Sequence, residues 1–301
     1  EKRKAIIQEF LEQKIPVSCK HCIEKGININ SPDSKINYSK TKKTPSFRNY
    51  PNQIEFLLSN KCNLDCIMCA DNISSSSSHI KLDKKKYFEE QEVFDENFIH
   101  QLKPFLKEVK YSVFSGGEPF LIPIYEKIWD EIYKKNPKSG IYIQTNASIL
   151  NDKIKSKIRK YQMDIGVSID SVNKETYEKI RRNAKFEQTI ENLEYFIHHT
   201  RSLNKTLTLM TTPMIINALE IPEIVSFCNS KEIYFSLSIL EWPKHLAIWS
   251  LSSAELHQIL EKYQMYEIPN AEQNPIKIKN YKSFQYFKEL VEEYAHQKRY
   301  F

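Results

Sequence analysis

The sequence predicts an α/β protein built on parallel strands, and three observations carry that prediction. Six short apolar, β-branched or aromatic runs recur between residues 54 and 238. Segments with helical apolar spacing separate them, and strand alternating with helix implies parallel βαβ units joined by crossovers. With 301 residues, 41% hydrophobic and 12% aromatic, the chain can also fill the core that such a fold requires. Six repeats make either an open doubly wound sheet or a barrel that falls short of eight strands.

The strands, in order, are "IEFLLS" (54–59), "VKYSVFSG" (109–116), "GIYIQT" (140–145), "DIGVSID" (164–170), "TLTLMTT" (206–212) and "IYFSLS" (233–238). Each is short and rich in residues that fit a pleated surface. Between them, "PIYEKIWDEIYKK", "NDKIKSKIRKYQ", "KFEQTIENLEYFIHHTRSL" and "ALEIPEIVSFCNS" repeat apolar residues at helical intervals. This gives three regions: a small N-terminal cysteine-bearing segment at 1–53, the βα repeats at 54–240, and a helical extension at 241–301. In the extension, "EWPKHLAIWSLSSAELHQILEKYQMY" and "SFQYFKELVEEYAHQKRYF" read as helices flanking a proline-containing loop. Five consecutive serines at 74–78, followed by a charged stretch, read as a long surface loop between the first strand and its helix, with plain low complexity as the alternative.

Charge and hydropathy exclude several classes. No stretch approaches the roughly 20 apolar residues of a membrane helix, and the charged N-terminus lacks the apolar core of a signal peptide. A cytoplasmic protein without a membrane partner is expected. The net charge of +6, with lysine runs at 40–43 and 84–86, reads as a solvated surface, since no nucleic-acid motif accompanies it.

Six cysteines are present, five of them in two tight clusters, which without a secretion signal points to metal binding before disulfides. "CNLDCIMC" places Cys62, Cys66 and Cys69 at C-x3-C-x2-C spacing just after the first strand. In parallel α/β folds reactive groups gather at the C-terminal ends of strands. Thiolates so spaced can wrap an iron–sulfur core, and a cubane with three protein ligands keeps one iron open to another molecule. A zinc site completed by His79 or a remote cysteine is one alternative, and unrelated buried cysteines are another.

"FSGGEPF" ends the second strand. Gly116 and Gly117 stand in a chain with only 5 glycines, where average usage of about 7% would give roughly 21. They let backbone approach a ligand closely, Glu118 offers an acceptor to a cationic group, and Pro119 fixes the exit of the turn.

From about residue 54 to 240, on "CNLDCIMC", "SGGEP", "QTNAS" and "SIDS", the chain resembles the radical S-adenosylmethionine (radical SAM) superfamily. The resemblance implies a partial (β/α)6 barrel of TIM type. It implies a [4Fe–4S] cluster on Cys62, Cys66 and Cys69, with S-adenosylmethionine (AdoMet) chelating the open iron. Reductive cleavage of AdoMet would then give methionine and a 5′-deoxyadenosyl radical that takes a hydrogen atom from substrate. By position, Gly116, Gly117 and Glu118 would receive the AdoMet amino group, and Asn146, Ser168 and Asp170 match polar positions near its ribose. Arg181, with Arg182 as second choice, would pair with its carboxylate. Met68 stands where many members carry an aromatic residue along the adenine, and a thioether can pack there too. The bland readings are a turn residue for Asn146, a helix cap for Asp170 and a solvent-facing helix residue for Arg181.

"SCKHC", with Cys19 and Cys22, looks like the opening of the subgroup with an N-terminal twitch domain, which implies a second, auxiliary iron–sulfur cluster. Zinc or a non-ligating pair are the alternatives, because only two cysteines are local. Cys228, in an apolar helix, reads as a buried cysteine. The expected substrate is a peptide or peptide-like molecule, with an external flavodoxin- or ferredoxin-type electron donor. The rivals are oxidation or rearrangement of a small sugar or aminocyclitol, and a non-catalytic iron–sulfur protein. Trp242, His245 and Trp249 could touch substrate, with core packing of the C-terminal cap as the expected role.

Overall fold

All six expected strands form, and every pairing among them is parallel. In this computed structural model residues 50–70, 73–77, 94–266 and 274–298 are described, with Glu9. The chain divides into two units, Glu1–Asn49 and Tyr50–Phe301, and the parallel sheet lies in the second. The elements of that unit begin with β1 (Gln53–Phe56), β2 (Asp65–Cys66), α1 (Glu96–Glu108), β3 (Tyr111–Phe114) and α2 (Pro123–Lys135). They continue with β4 (Gly140–Thr145), α3 (Asp152–Tyr161), β5 (Asp164–Ser168), α4 (Lys174–Ile180), β6 (Arg181–Arg182) and α5 (Phe186–Ser202). The remainder are β7 (Leu207–Thr211), α6 (Ile221–Ser230), β8 (Tyr234–Leu237), α7 (Ser253–Met265) and α8 (Pro275–Gln297).

The sheet order is β1-β3-β4-β5-β7-β8. Spatial order equals chain order, so the sheet winds one way, without the reversal that defines a doubly wound fold. Of the two architectures the periodicity allowed, this is the winding of the partial barrel. Apart from the sheet, β2 and β6 form a two-residue antiparallel pair, Asp65 opposite Arg182 and Cys66 opposite Arg181.

Strand parity sorts the residues. Phe56, Phe114, Ile143, Val167, Leu209 and Phe235 are buried on the face toward the helices, where Phe114 packs edge-on against Tyr125 and Trp129 of α2. The register pairs Gln144 with Gly166, and Ser168 with Met210, so these residues share the opposite face. There a Cβ on Gly166 would lie 1.9 Å from the Tyr142 hydroxyl, so any other residue would force the Tyr142 ring to move.

Of the eight helices α1–α8, five start on short polar side chains. Asp95, Asn151, Asn173 and Asn274 accept first-turn N–H groups, and Ser252 with Glu255 forms a capping box on α7. The helix expected from residue 241 therefore begins only at Ser253; residues 244–246 and 248–250 make two short 3-10 turns instead. Helix α8 covers the outer strand: Asn280 accepts from Phe235 N (2.7 Å) and donates to Ile233 O (2.9 Å). Among the described residues no helix is long and apolar enough to cross a membrane.

Three readings are corrected. Trp242 and His245 are exposed and Trp249 only half-buried, so the first two are not core: Trp242 lies in the bend before the 3-10 turns and His245 in the first of them, and none of the three lines the cavity at the strand ends. Over its described part the serine run is a loop of turns as expected, but Ser74 and Ser77 are buried and not at the surface. The alternative reading of Asp170 as a helix cap is set aside, that role falling to Asn173. Cys228 is fully buried as expected, and burial pushes its thiol up.

Candidate active site at the strand ends

Three loops meet where β1, β3 and β4 end. The segment after β1 carries the three cysteines, and the Gly116–Gly117 turn packs directly on it. Gly117 N donates to Ser59 O (3.0 Å) and Glu118 N to Lys61 O (2.7 Å). A Cβ on Gly117 would sit 2.1 Å from Lys61 O, and Gly116 has φ +115°, so neither position tolerates another side chain without displacing backbone. Tyr125 ties the same strand ends together: its hydroxyl accepts from Leu58 N (2.9 Å) and donates to Ser115 O (2.7 Å).

Glu118 points inward. Its carboxylate is fully buried and accepts from Thr145 Oγ1 (2.8 Å), Asn146 N (2.8 Å) and Phe120 N (3.3 Å). Burial pushes its pKa up to about 7, against those three donors. It thus sets the conformation of "QTNAS". Asn146 is both turn and wall. Its Oδ1 accepts from Ser148 N (2.9 Å), while its Nδ2 donates to Asn63 Oδ1 (3.0 Å). Asn63 in turn donates to Ser148 Oγ (2.8 Å), a closed ring that fixes the residue beside Cys62. The following Ala147 has φ +55°, a left-handed conformation that this network holds.

The cysteine loop is anchored on its far side by Arg181. The β2–β6 pairing sets Cys66 opposite Arg181 in backbone register, and Ile67 N donates to Ile180 O (2.9 Å). The Arg181 side chain is buried, its Nη2 2.8 Å from Asp170 Oδ2 and its Nη1 4.0 Å from Cys66 Sγ. Burial opposes the Arg181 charge, and Asp170, with Cys66 behind it, outweighs burial and raises the pKa. Asp170 also accepts from Thr212 N (2.8 Å), tying the ends of β5 and β7. Buried Arg181 Nε has no hydrogen-bond partner among the described residues.

Cys62, Cys66 and Cys69 line one cavity of about 190 Å³ with Met68, Gly116, Gly117, Asn146, Ser168 and Arg181. Eight of the SAM-site and cluster residues expected from the sequence, plus Met68, thus share one wall system; Glu118 and Asp170 stand behind it and hold Asn146 and Arg181. Cys19 and Cys22 lie outside the described residues. Burial raises the Cys62 thiol; Cys66 donates to Cys69, which raises Cys66 well above the usual range and lowers Cys69. Among the described residues no three His, Cys, Asp or Glu side chains close on a single-ion position.

The rest of the lining includes Ser115, Gln144, Met210, Thr212 and Ser238, which motif reading did not single out. Each lies in or just after an expected strand, and their common face follows from strand parity once the register is known.

The family model described as "Radical SAM superfamily" matches residues 56–228. An uncharacterised protein of Methanocaldococcus jannaschii is 28% identical over 218 residues, 70% of this chain and 71% of that protein. A probable GTP 3′,8-cyclase of the same organism is 28% identical over 195 residues, 62% of this chain and 57% of the cyclase. Among solved structures, Streptococcus suis SuiB bound to precursor peptide SuiA superposes with a TM-score of 0.50 at 18% identity, covering 83% of this chain and 58% of SuiB. The chain spans less than two thirds of the length of the cyclase and of SuiB. The family match covers more than half of the chain and both motif loops of the cavity: this protein is an enzyme of the radical SAM superfamily.

Proposed function

We propose that the chain cleaves AdoMet reductively and uses the resulting radical to abstract a hydrogen atom from a peptide or peptide-like substrate. The observation that carries this reading is the convergence of Cys62, Cys66, Cys69, Gly116, Gly117, Asn146, Ser168 and Arg181 on one cavity. Three soft thiol donors on one wall fit an iron–sulfur core. Held by Cys62, Cys66 and Cys69, a [4Fe–4S] cluster would supply one-electron reduction of the AdoMet sulfonium. The chain's own residues bind and orient. The Gly116–Gly117 turn offers bare backbone to the amino group of AdoMet, Arg181 offers its unpaired Nε–H to a carboxylate, and Asn146 and Ser168 face the ribose. Met68 packs along the adenine. Glu118 and Asp170 keep these groups in place from behind.

The substrate side supports the peptide reading over a nucleoside triphosphate. Gln144, Thr212 and Ser238 are neutral hydrogen-bonding groups suited to amides, and Met210 adds an apolar contact. Arg181 is the cation of the described lining, and Asp170 already neutralises it. On the same reading, residues 1–53 form a twitch-like segment in which Cys19 and Cys22 contribute to an auxiliary cluster, residues 241–301 are a helical extension of the 54–240 barrel, and an external flavodoxin or ferredoxin delivers the electron.

Anaerobic protein reconstituted with iron and sulfide, then given dithionite and AdoMet, should release 5′-deoxyadenosine. Cys62→Ala, Cys66→Ala and Cys69→Ala should each abolish release. Absence of 5′-deoxyadenosine from a fully reconstituted wild type would refute the reading. Deuterium transfer from a labelled peptide library, against labelled GTP and sugars, then identifies the substrate class.

A further inference from the structure

The serine run is the feature that neither the motifs nor the proposed chemistry absorbs. Four consecutive residues each bond the loop that carries the cysteines. Ser74 Oγ donates to Leu64 O (2.8 Å), Ser75 Oγ accepts from Cys62 N (3.1 Å), Ser76 Oγ donates to Cys62 O (2.7 Å) and Ser77 Oγ donates to Cys69 O (2.9 Å). The main chain joins in, Ser75 N donating to Asn60 O (2.8 Å) and Ser77 N to Ser74 O (3.0 Å). Two of the accepting carbonyls belong to the first and last cysteines of the motif.

The physical need is specific. Outside the short β2 pairing, residues 62–69 have irregular backbone, and their carbonyls must find donors that no sheet or helix supplies. Serine meets that need from a tight turn, because its hydroxyl both donates and accepts and its reach is one carbon. The partners, three carbonyls and one amide, are irregular in register, so each position needs its own short side chain that can donate or accept, and a run of serines results. The buried serines, Ser74 and Ser77, sit at 2% exposure, where an unmade hydrogen bond is costly. The loop is thereby gripped from two sides, by β6 and Arg181 on one and by the serines on the other.

We propose that Ser74–Ser77 are positioning residues, a clamp that presents the three thiols as a preformed ligand set. The effect on a bound cluster rests on the proposed function; the ordering of the loop does not. Amide hydrogen exchange on the full-length protein before reconstitution tests the ordering directly. The Ser74→Ala/Ser76→Ala/Ser77→Ala variant should speed exchange of the 62–69 amides about tenfold or more, with β4 and β5 amides unchanged. Ser76→Thr, which keeps a hydroxyl, should restore slow exchange relative to Ser76→Ala, an outcome that lost packing alone would not give. If the triple variant unfolds, the Ser76→Ala and Ser76→Thr pair carries the test alone. Unchanged exchange at 62–69 in Ser76→Ala overturns the proposal, as does acceleration that Thr fails to reverse.

A second arm uses the reconstituted protein and a strong iron chelator. Iron should leave the triple variant at least about tenfold faster than wild type, at equal starting iron and sulfide. Equal loss rates overturn the claim for the cluster. If wild type takes up no iron at all, the functional reading fails while the exchange result still decides the clamp.

Discussion

Replacing Asp170 by Asn removes the counter-ion of a buried arginine while keeping the shape of the site. Asp170 is fully buried, Arg181 is 7% exposed, and their charged atoms are 2.8 Å apart. Asparagine retains an acceptor for Thr212 N, so that bond, worth about 1 kcal/mol, survives. What is lost is compensation of the guanidinium, and stranding one partner of a buried pair costs about 3–5 kcal/mol. At about 2–4 °C per kcal/mol for a chain of a few hundred residues, the melting temperature should fall by roughly 10 °C. The assay is denaturant and thermal unfolding of wild type, Asp170→Asn, Arg181→Met and the double variant. In the cycle the double variant should recover at least about 2 kcal/mol relative to the sum of the singles, because an uncharged pair leaves no orphan charge. A loss under about 1 kcal/mol for Asp170→Asn, or a coupling near zero, would show that water or another anion compensates Arg181 and that the pair does not hold the wall. AdoMet affinity, measured on the same proteins, should fall furthest in Arg181→Met, since that variant also removes the donor to the carboxylate.

Gly117→Ala drives a methyl group into the Lys61 backbone at 2.1 Å, which no rotamer change relieves. It should cost about 3 kcal/mol or more and abolish iron retention on reconstitution, read by unfolding and iron assay. Tyr125→Phe leaves Leu58 N and Ser115 O without their partner and should destabilise by about 1–3 kcal/mol, with faster exchange of the Leu58 amide. His199 is buried and its pKa lowered by desolvation, with Arg159 and His198 adding to the effect. The unfolded chain therefore binds its proton first as pH falls below about 6.5, and wild type loses stability there. His199→Gln should be flatter, so its melting temperature relative to wild type should rise from pH 8 to pH 5; a constant difference would refute this.

The order and type of the strands were legible because the chain alternates two periods, one for pleated surface and one for helix, and parallel sheets buried under helices make those runs nearly continuous. The three cysteines and the Gly-Gly turn were legible for a different reason. Their chemistry demands particular atoms at fixed spacing, which the linear sequence displays directly. The choice between the barrel winding and a doubly wound sheet was not in the periodicity, since both have the same βα alternation; it lies in which strand neighbours which.

Long-range geometry decided the rest. Glu118 looked like a ligand-facing acceptor beside two glycines, yet its carboxylate turns inward to hold Thr145 and Asn146, residues 27 and 28 positions away. Asp170 and Arg181 looked like separate contacts and form one buried pair. Gln144, Met210, Thr212 and Ser238 come from three strands whose shared face exists only once they are in register. The serine run shows the limit most plainly. By composition it is featureless, and its meaning lies in four carbonyl and amide partners that a preceding loop brings within 3.1 Å. By itself the sequence determined the periodic fold class and the atoms of the chemistry; which polar groups face the cavity and which brace it from behind was decided by tertiary structure, because hydrogen-bond satisfaction and charge compensation are properties of neighbours in space.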